Sequence, residues 1–220
     1  MLFQRKEILA KRDWRVAKRG NHYEAAFEAF LRESGIPYIA VDEARRALMA
    51  DGRSLKSLDF LVAPRGRTTW LVDVKGRRFP SGEEHLQYWK NWSTQDDLES
   101  LAEWETLFGD GFRGLFVFAF HIVGGRLPVQ EPLVVSFRGE RYAFLGVELA
   151  EYRRLCRVIS PQWQTVAVAA RDFRTVARPV QELFGLAESQ PFPAPQTVLA
   201  PVHAETPTVS GSTLVGTARR

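Results

Sequence analysis

Apolar residues recur at helical spacing between Asn21 and Glu33, where Tyr23, Phe27, Phe30 and Leu31 fall at i, i+4, i+7 and i+8. Asn21 is a capping residue type, and Gly35 with Pro37 ends the run, so the pattern predicts a helix over 21–33. PYIAV (37–41) predicts a strand, and DEARRALMADG (42–52) a short helix capped by Asp42 and stopped by Gly52. Two strands are expected at 57–63 and 68–75, joined by the turn PRGR. Helices are expected at 83–92 and at 94–108, the second on the spacing of Leu98, Leu101, Trp104, Leu107 and Phe108. GLFVFAFHIV (114–123) is almost wholly apolar, as in a strand buried on both faces. Strands at 133–137 and 141–146, a helix at 148–157, a strand at 164–169 and a helix from Asp172 to Phe184 complete the pattern. Strands mixed with helices imply an α/β sheet with helices on its faces.

From residue 187 onward periodicity is lost, and five of the twelve prolines fall in this stretch. The expectation is one domain over 1–186 followed by a disordered Pro/Thr/Ala-rich tail over 187–220, or one ordered only by a partner. The chain of 220 residues is long enough for a sizeable core. Its single cysteine, Cys156, excludes an intrachain disulfide framework and a Cys-rich zinc site, which suits a reducing cytoplasmic setting. No apolar run reaches the ~18 residues of a membrane span, and the N-terminus lacks the pattern of a signal peptide. Net charge is only +4, yet residues 1–20 carry seven Lys and Arg against two acids. That basic arm, with Trp14 in it, suits a phosphate backbone as well as it suits a plain solvated helix face.

The segment SLDFLVAPRGRTTWLVDVKGRR (57–78) places Asp59, Asp73 and Lys75 where strand positions favour apolar residues. An antiparallel hairpin centred on Gly66 sets Asp59 opposite Asp73, Leu58 opposite Val74, Phe60 opposite Val72 and Val62 opposite Trp70. The last six of these form an apolar face, while Asp59, Asp73, Ser57 and Lys75 share the other. Directly opposed like charges destabilise a sheet, so the two acids need a reason. A shared proton, a divalent cation, or salt bridges from Lys75 to both acids would each supply one.

The pattern Asp59-x13-Asp73-Val74-Lys75, an acid on one strand and acid-x-Lys on the next, resembles the PD-(D/E)xK nuclease superfamily, with Leu58 in the place of its proline. Glu24 lies eleven residues before Gly35, which matches the helical acid of resolvase-like members, and HYEAAFE (22–28) is similar to the signature of the HYExAFE family. The resemblance covers about residues 20–122 and implies a restriction-endonuclease-like α-β-β-β-α-β core, a mixed central sheet flanked by helices, with 42–56 inserted between the first two strands.

The resemblance also implies a metal-dependent nuclease, hydrolysing phosphodiester bonds of a nucleic acid, most naturally DNA. Asp59, Asp73 and the Val74 carbonyl would hold Mg2+ or Mn2+, with Glu24 completing the site; Lys75 would position or deprotonate the attacking water or stabilise charge. Glu28, one helical turn after Glu24, competes for its role, and Gln87 stands where related nucleases carry a glutamine on the next helix. Arg77, Arg78, Lys18, Arg19 and His22 are candidate phosphate contacts. Trp89 and Trp92 are expected in the core, and His121 is expected to be structural. Related enzymes often pair two subunits, so a homodimer is an expectation. A nucleic-acid-binding module without turnover, or an interaction protein using the acids only as salt-bridge partners, are the alternatives.

Overall fold

The computed structural model describes residues 21–42, 47–48, 52 and 54–186. The basic arm, with Lys18 and Arg19, and the proline-rich tail lie outside them, as does most of 43–53.

Helix α1 (His22–Glu33) starts at Asn21, whose side chain accepts from the Tyr23 N–H, and buries Phe27, Phe30 and Leu31 as its spacing predicts. Strand β1 (Tyr38–Ala40) follows, then the short pair β2 (Ala47–Leu48) and β3 (Ser54–Leu55), β4 (Phe60–Val62) and the eleven-residue β5 (Thr69–Phe79). After β6 (Ser93–Thr94) comes α2 (Gln95–Phe108), opened by a capping box between Thr94 and Asp97. The chain continues through β7 (Phe112–Ile122), β8 (Val135–Phe137), β9 (Glu140–Glu148) and α3 (Leu149–Leu155), then β10 (Arg157–Ser160) and β11 (Thr165–Ala167). Helix α4 (Ala170–Val176), β12 (Arg178–Pro179) and α5 (Val180–Leu183) end the described chain.

The main sheet runs β1-β4-β5-β7-β9-β12, with β8 also paired to β9. Strands β1, β4 and β5 are antiparallel neighbours, whereas β5 and β7 are parallel over eleven pairs, from Thr69↔Phe112 to Phe79↔Ile122. A parallel pair needs a crossover, and α2 provides it. The order α1-β1-β4-β5-α2-β7 is therefore the expected α-β-β-β-α-β core, a mixed sheet flanked by helices. One face packs Phe60, Val62, Trp70, Val72, Val74, Leu115 and Val117 against α1. The other packs Leu71, Phe116, Phe118 and Phe120 against Leu98 and Leu101 of α2 and Tyr152 of α3. Aromatic residues dominate this second layer, where Phe118 meets Phe173 edge-on at 5.1 Å.

Several expectations change. Ala47–Leu48 pairs with Ser54–Leu55 as a strand, so the helix expected over 42–52 is not continuous there. The segment 83–92 forms no helix: Ser81 and Gln87 exchange backbone hydrogen bonds of 2.8 and 2.7 Å, which closes it as a loop. Asn91 holds the end of that loop by donating to the Val168 carbonyl and accepting from the Val168 N–H. Trp89 is core, as expected, but Trp92 is 41% exposed. The helix expected from Asp172 to Phe184 is interrupted, because Pro179 has no N–H to continue it and instead pairs with Leu145 in β12.

Candidate active site

The β4–β5 hairpin adopts the register centred on Gly66: Phe60↔Val72, Leu61↔Leu71 and Val62↔Trp70. The ladder stops at Phe60, however, so the expected opposition of Asp59 to Asp73, and of Leu58 to Val74, is not part of it. The Asp59 N–H donates to the Val72 carbonyl at 2.9 Å, and its carbonyl accepts from the Val41 N–H. This departure from regular pairing turns Leu58 to the second core layer, beside Leu71 and Leu98, rather than to the α1 face. The Asp59 carboxylate takes the position of the lost ladder partner, accepting the Val74 N–H at 2.6 Å.

Asp73 and Lys75 lie on the α2 side of β5, alternating with Val72 and Val74 on the α1 side. The Lys75 ammonium is 2.7 and 2.8 Å from the two Asp73 oxygens and 2.9 Å from Oδ2 of Asp97. Asp97 is a further buried acid that sequence reading did not single out. Its carboxylate also accepts from the Ser93 hydroxyl and the Thr94 N–H, and forms an ion pair with Lys56. The Lys56 backbone is fixed to α2 at both ends, its N–H to the Ser100 hydroxyl and its carbonyl to the Trp104 indole. These elements enclose a crevice of about 10 Å3 lined by Asp73, Asp97, Lys56 and Ser57, the room of a single water.

The environment separates the two carboxyls electrostatically. Burial and the charge of Asp97 push Asp73 upward against the pull of Lys75. Burial alone would raise Asp97 too, but Lys75, Lys56 and the Thr94 N–H outweigh it and hold Asp97 well below the usual carboxylate range. Burial pulls the Lys75 ammonium down, and the two carboxylates overcome that and keep its pKa above the ordinary value. The two carboxylates thus favour the charged form of Lys75.

Other candidates are placed differently. Glu24 is buried on α1, with Asn21 donating to it. Glu28 accepts from the Tyr38 hydroxyl at 3.0 Å, which ties it to β1. Among the described residues no three His, Cys, Asp or Glu side chains converge as a metal-holding group, so Glu24, Asp59 and Asp73 are not joined in this conformation. Gln87 is exposed in the loop rather than on a helix. The Arg77 guanidinium stacks over the Trp92 ring at 4.0 Å, with one nitrogen donating to the Gly76 carbonyl at 2.6 Å and another to that of Trp92. Burial lowers its pKa to about 10. Arg78 is exposed and pairs in the sheet with His121, whose ring lies 5.5 Å from that of His22. His22 Nδ1 is 2.8 Å from the Tyr142 hydroxyl, and His121 Nε2 is 2.8 Å from Glu140.

No family model matches the sequence, and no curated protein is similar to it. No helix among the described residues is long and apolar enough to cross a membrane. Among solved structures, the chain is similar to Hjc, a Holliday junction resolvase of Archaeoglobus fulgidus, with 13% identity over 74% of this chain and 98% of that one, at a TM-score of 0.44.

Proposed function

We propose that this chain is a nuclease of the PD-(D/E)xK superfamily, of the HYExAFE type, that hydrolyses phosphodiester bonds in DNA with the help of Mg2+ or Mn2+. The observation that carries the reading is the placement of two buried acids, Asp59 beside the Val74 N–H and Asp73 in contact with Lys75 on β5, in an α-β-β-β-α-β core.

The donor chemistry suits a hard divalent ion: carboxylates of Asp59 and Asp73 and the Val74 carbonyl would hold it. Each Asp73 oxygen accepts one contact from Lys75 and keeps a further lone pair through which it would hold the ion. An ion held there would supply Lewis acidity and a water of lowered pKa for hydrolysis. The protein's own contributions follow from its electrostatics. Lys75, held charged by Asp73 and Asp97, offsets the negative charge that develops on the phosphate oxygens. Asp97 and Ser93 fix the far side of that ammonium, and Arg78 with His22 presents donors to the phosphate backbone at the end of β5.

The closed Asp73–Lys75–Asp97 network also favours a second reading, a nucleic-acid-binding module of the same fold without turnover. Incubating the full chain with plasmid, single-stranded, branched DNA and RNA, with and without Mg2+ or Mn2+, separates the two. Metal-dependent cleavage that is lost in Asp73→Ala supports the nuclease. Binding of the same substrates with no cleavage under any metal supports the module and overturns the nuclease.

A further inference from the structure

A second concave site lies around the turn that precedes β5, and none of its residues belongs to the Asp59, Asp73 and Lys75 set. It is a pocket of about 360 Å3 between that turn and the strands β5, β7 and β12, within the size range of small-ligand sites. Three arginines line it, Arg67, Arg113 and Arg178, against two glutamates, Glu148 and Glu182. Arg113 is 3.6 Å from Glu148, so one positive charge is already countered. Arg67 and Arg178 form no ion pair among the described residues, although both reach the same cavity. Arg67 is held close to the backbone at Gly185: a Cβ added there would stand 2.4 Å from its Nε. Trp70 supplies a further donor. The residue lines the pocket and is only 5% exposed, yet its indole nitrogen is buried with no hydrogen-bond partner among the described residues. A buried N–H left without an acceptor is costly, so an acceptor brought to it by a ligand is favoured.

We infer that this pocket binds a phosphate group. Beside the Arg113–Glu148 pair and Glu182, two guanidinium forks with no ion pair among the described residues and the Trp70 indole N–H give the pocket a surplus of donors, which an oxyanion satisfies and a cation or neutral apolar ligand does not. The group can come from a free nucleotide or from the terminal phosphate of a nucleic-acid strand, and both offer the same oxygens. The inference does not rest on the nuclease reading, because its readout is binding at residues that the catalytic proposal does not use.

The test is calorimetric titration of the full chain with inorganic phosphate and with a nucleoside 5′-monophosphate, beside the variant R67A/R178A. Saturable binding that weakens by about tenfold or more in the double variant is the expected result. Both arginines are exposed, so the variant is expected to keep the fold, which its unfolding transition checks. In parallel, the indole cross-peak of Trp70, assigned by its loss in Trp70→Phe, shifts as phosphate is added. Tighter binding of a 5′-phosphorylated oligonucleotide than of its 5′-hydroxyl form identifies a strand end as the source; equal binding of the two, with tighter binding of the mononucleotide, identifies a free nucleotide. Absence of saturable binding, or binding unchanged in R67A/R178A, overturns the inference.

Discussion

The Lys75 ammonium on β5 lies 2.9 Å from the Asp97 carboxylate in the first turn of α2, with the Asp97 side chain buried and that of Lys75 only 11% exposed. This ion pair joins the central strand to the crossover helix inside the layer. Removing one partner from a buried pair leaves the other uncompensated, which costs far more than losing a surface pair. Asp97→Asn keeps an acceptor for the Thr94 N–H, so its effect reports on charge rather than on helix capping. The expected loss is about 3 kcal/mol at neutral pH, measured by urea unfolding. The pH dependence has a definite sign. The folded pKa of Asp97 is depressed, so its contribution is complete above the unfolded value of about 3.9 and is lost as pH falls through the folded one. Stability of the parent chain therefore drops with acid, and Asp97→Asn loses less over the same range. Parallel acid limbs for the two proteins would contradict this account.

Under the proposed function, Asp73→Ala and Lys75→Met are expected to reduce cleavage by about 100- to 1000-fold. They differ in metal binding. If Asp73 holds the ion as proposed, Asp73→Ala is expected to lose the calorimetric Mg2+ or Mn2+ signal. Lys75→Met removes the ammonium that contacts the Asp73 oxygens, so it is expected to retain the ion or bind it more tightly. Equal metal affinity in all three proteins would place the ion elsewhere.

The parts of this architecture visible in the sequence are those set by local alternation. Phe60, Val62, Trp70 and Val72 alternate about Gly66, a one-residue slip would expose all of them, and the observed pairing is the one the alternation requires. Leu58 followed the same alternation on paper but lies where the ladder has ended, and a local break of this kind leaves no trace in the pattern. The segment 83–92 misled for the opposite reason. Its Leu86 and Trp89 repeat at helical spacing, but the contacts that decide its shape are made by Asn91 with Val168, 77 residues away. Asp97 carries a visible signal, Thr94-x-x-Asp97, and that signal marks a helix start. Its contact with Lys75 depends on how the crossover docks on the sheet, which no spacing within either element encodes.

Gly76 sits under the aromatic ring of Tyr23, where a Cβ would come within 2.1 Å of a ring carbon. The first turn of α1, which carries His22 and Glu24, is seated on β5 through this contact. Gly76→Ala is expected to destabilise the chain by about 1 to 3 kcal/mol through overpacking. Adding Tyr23→Ala to that variant restores part of the loss, and a double-mutant cycle read by urea unfolding gives the coupling. Additive effects would show that the helix is seated by other contacts.

Arg77 and Arg78 are adjacent in sequence and both were candidate phosphate ligands, but their surroundings assign them different work. Arg77 is spent on the fold: its guanidinium covers Trp92 at 4.0 Å and donates to two backbone carbonyls. Arg78 is exposed, on the same face of the sheet as His121 and near His22, with its charge directed to solvent. Arg78→Ala is expected to weaken DNA binding similarly across sequences and to lower the slope of log K against log salt by about 1, with the unfolding midpoint unchanged. Arg77→Ala is expected to cost about 2 kcal/mol of stability, because it removes a cation–π contact and two charged hydrogen bonds together. At temperatures where that variant remains folded, its salt slope matches the parent's. A salt slope reduced in Arg77→Ala and unchanged in Arg78→Ala would reverse the assignment and move the phosphate path to the α2 side of β5.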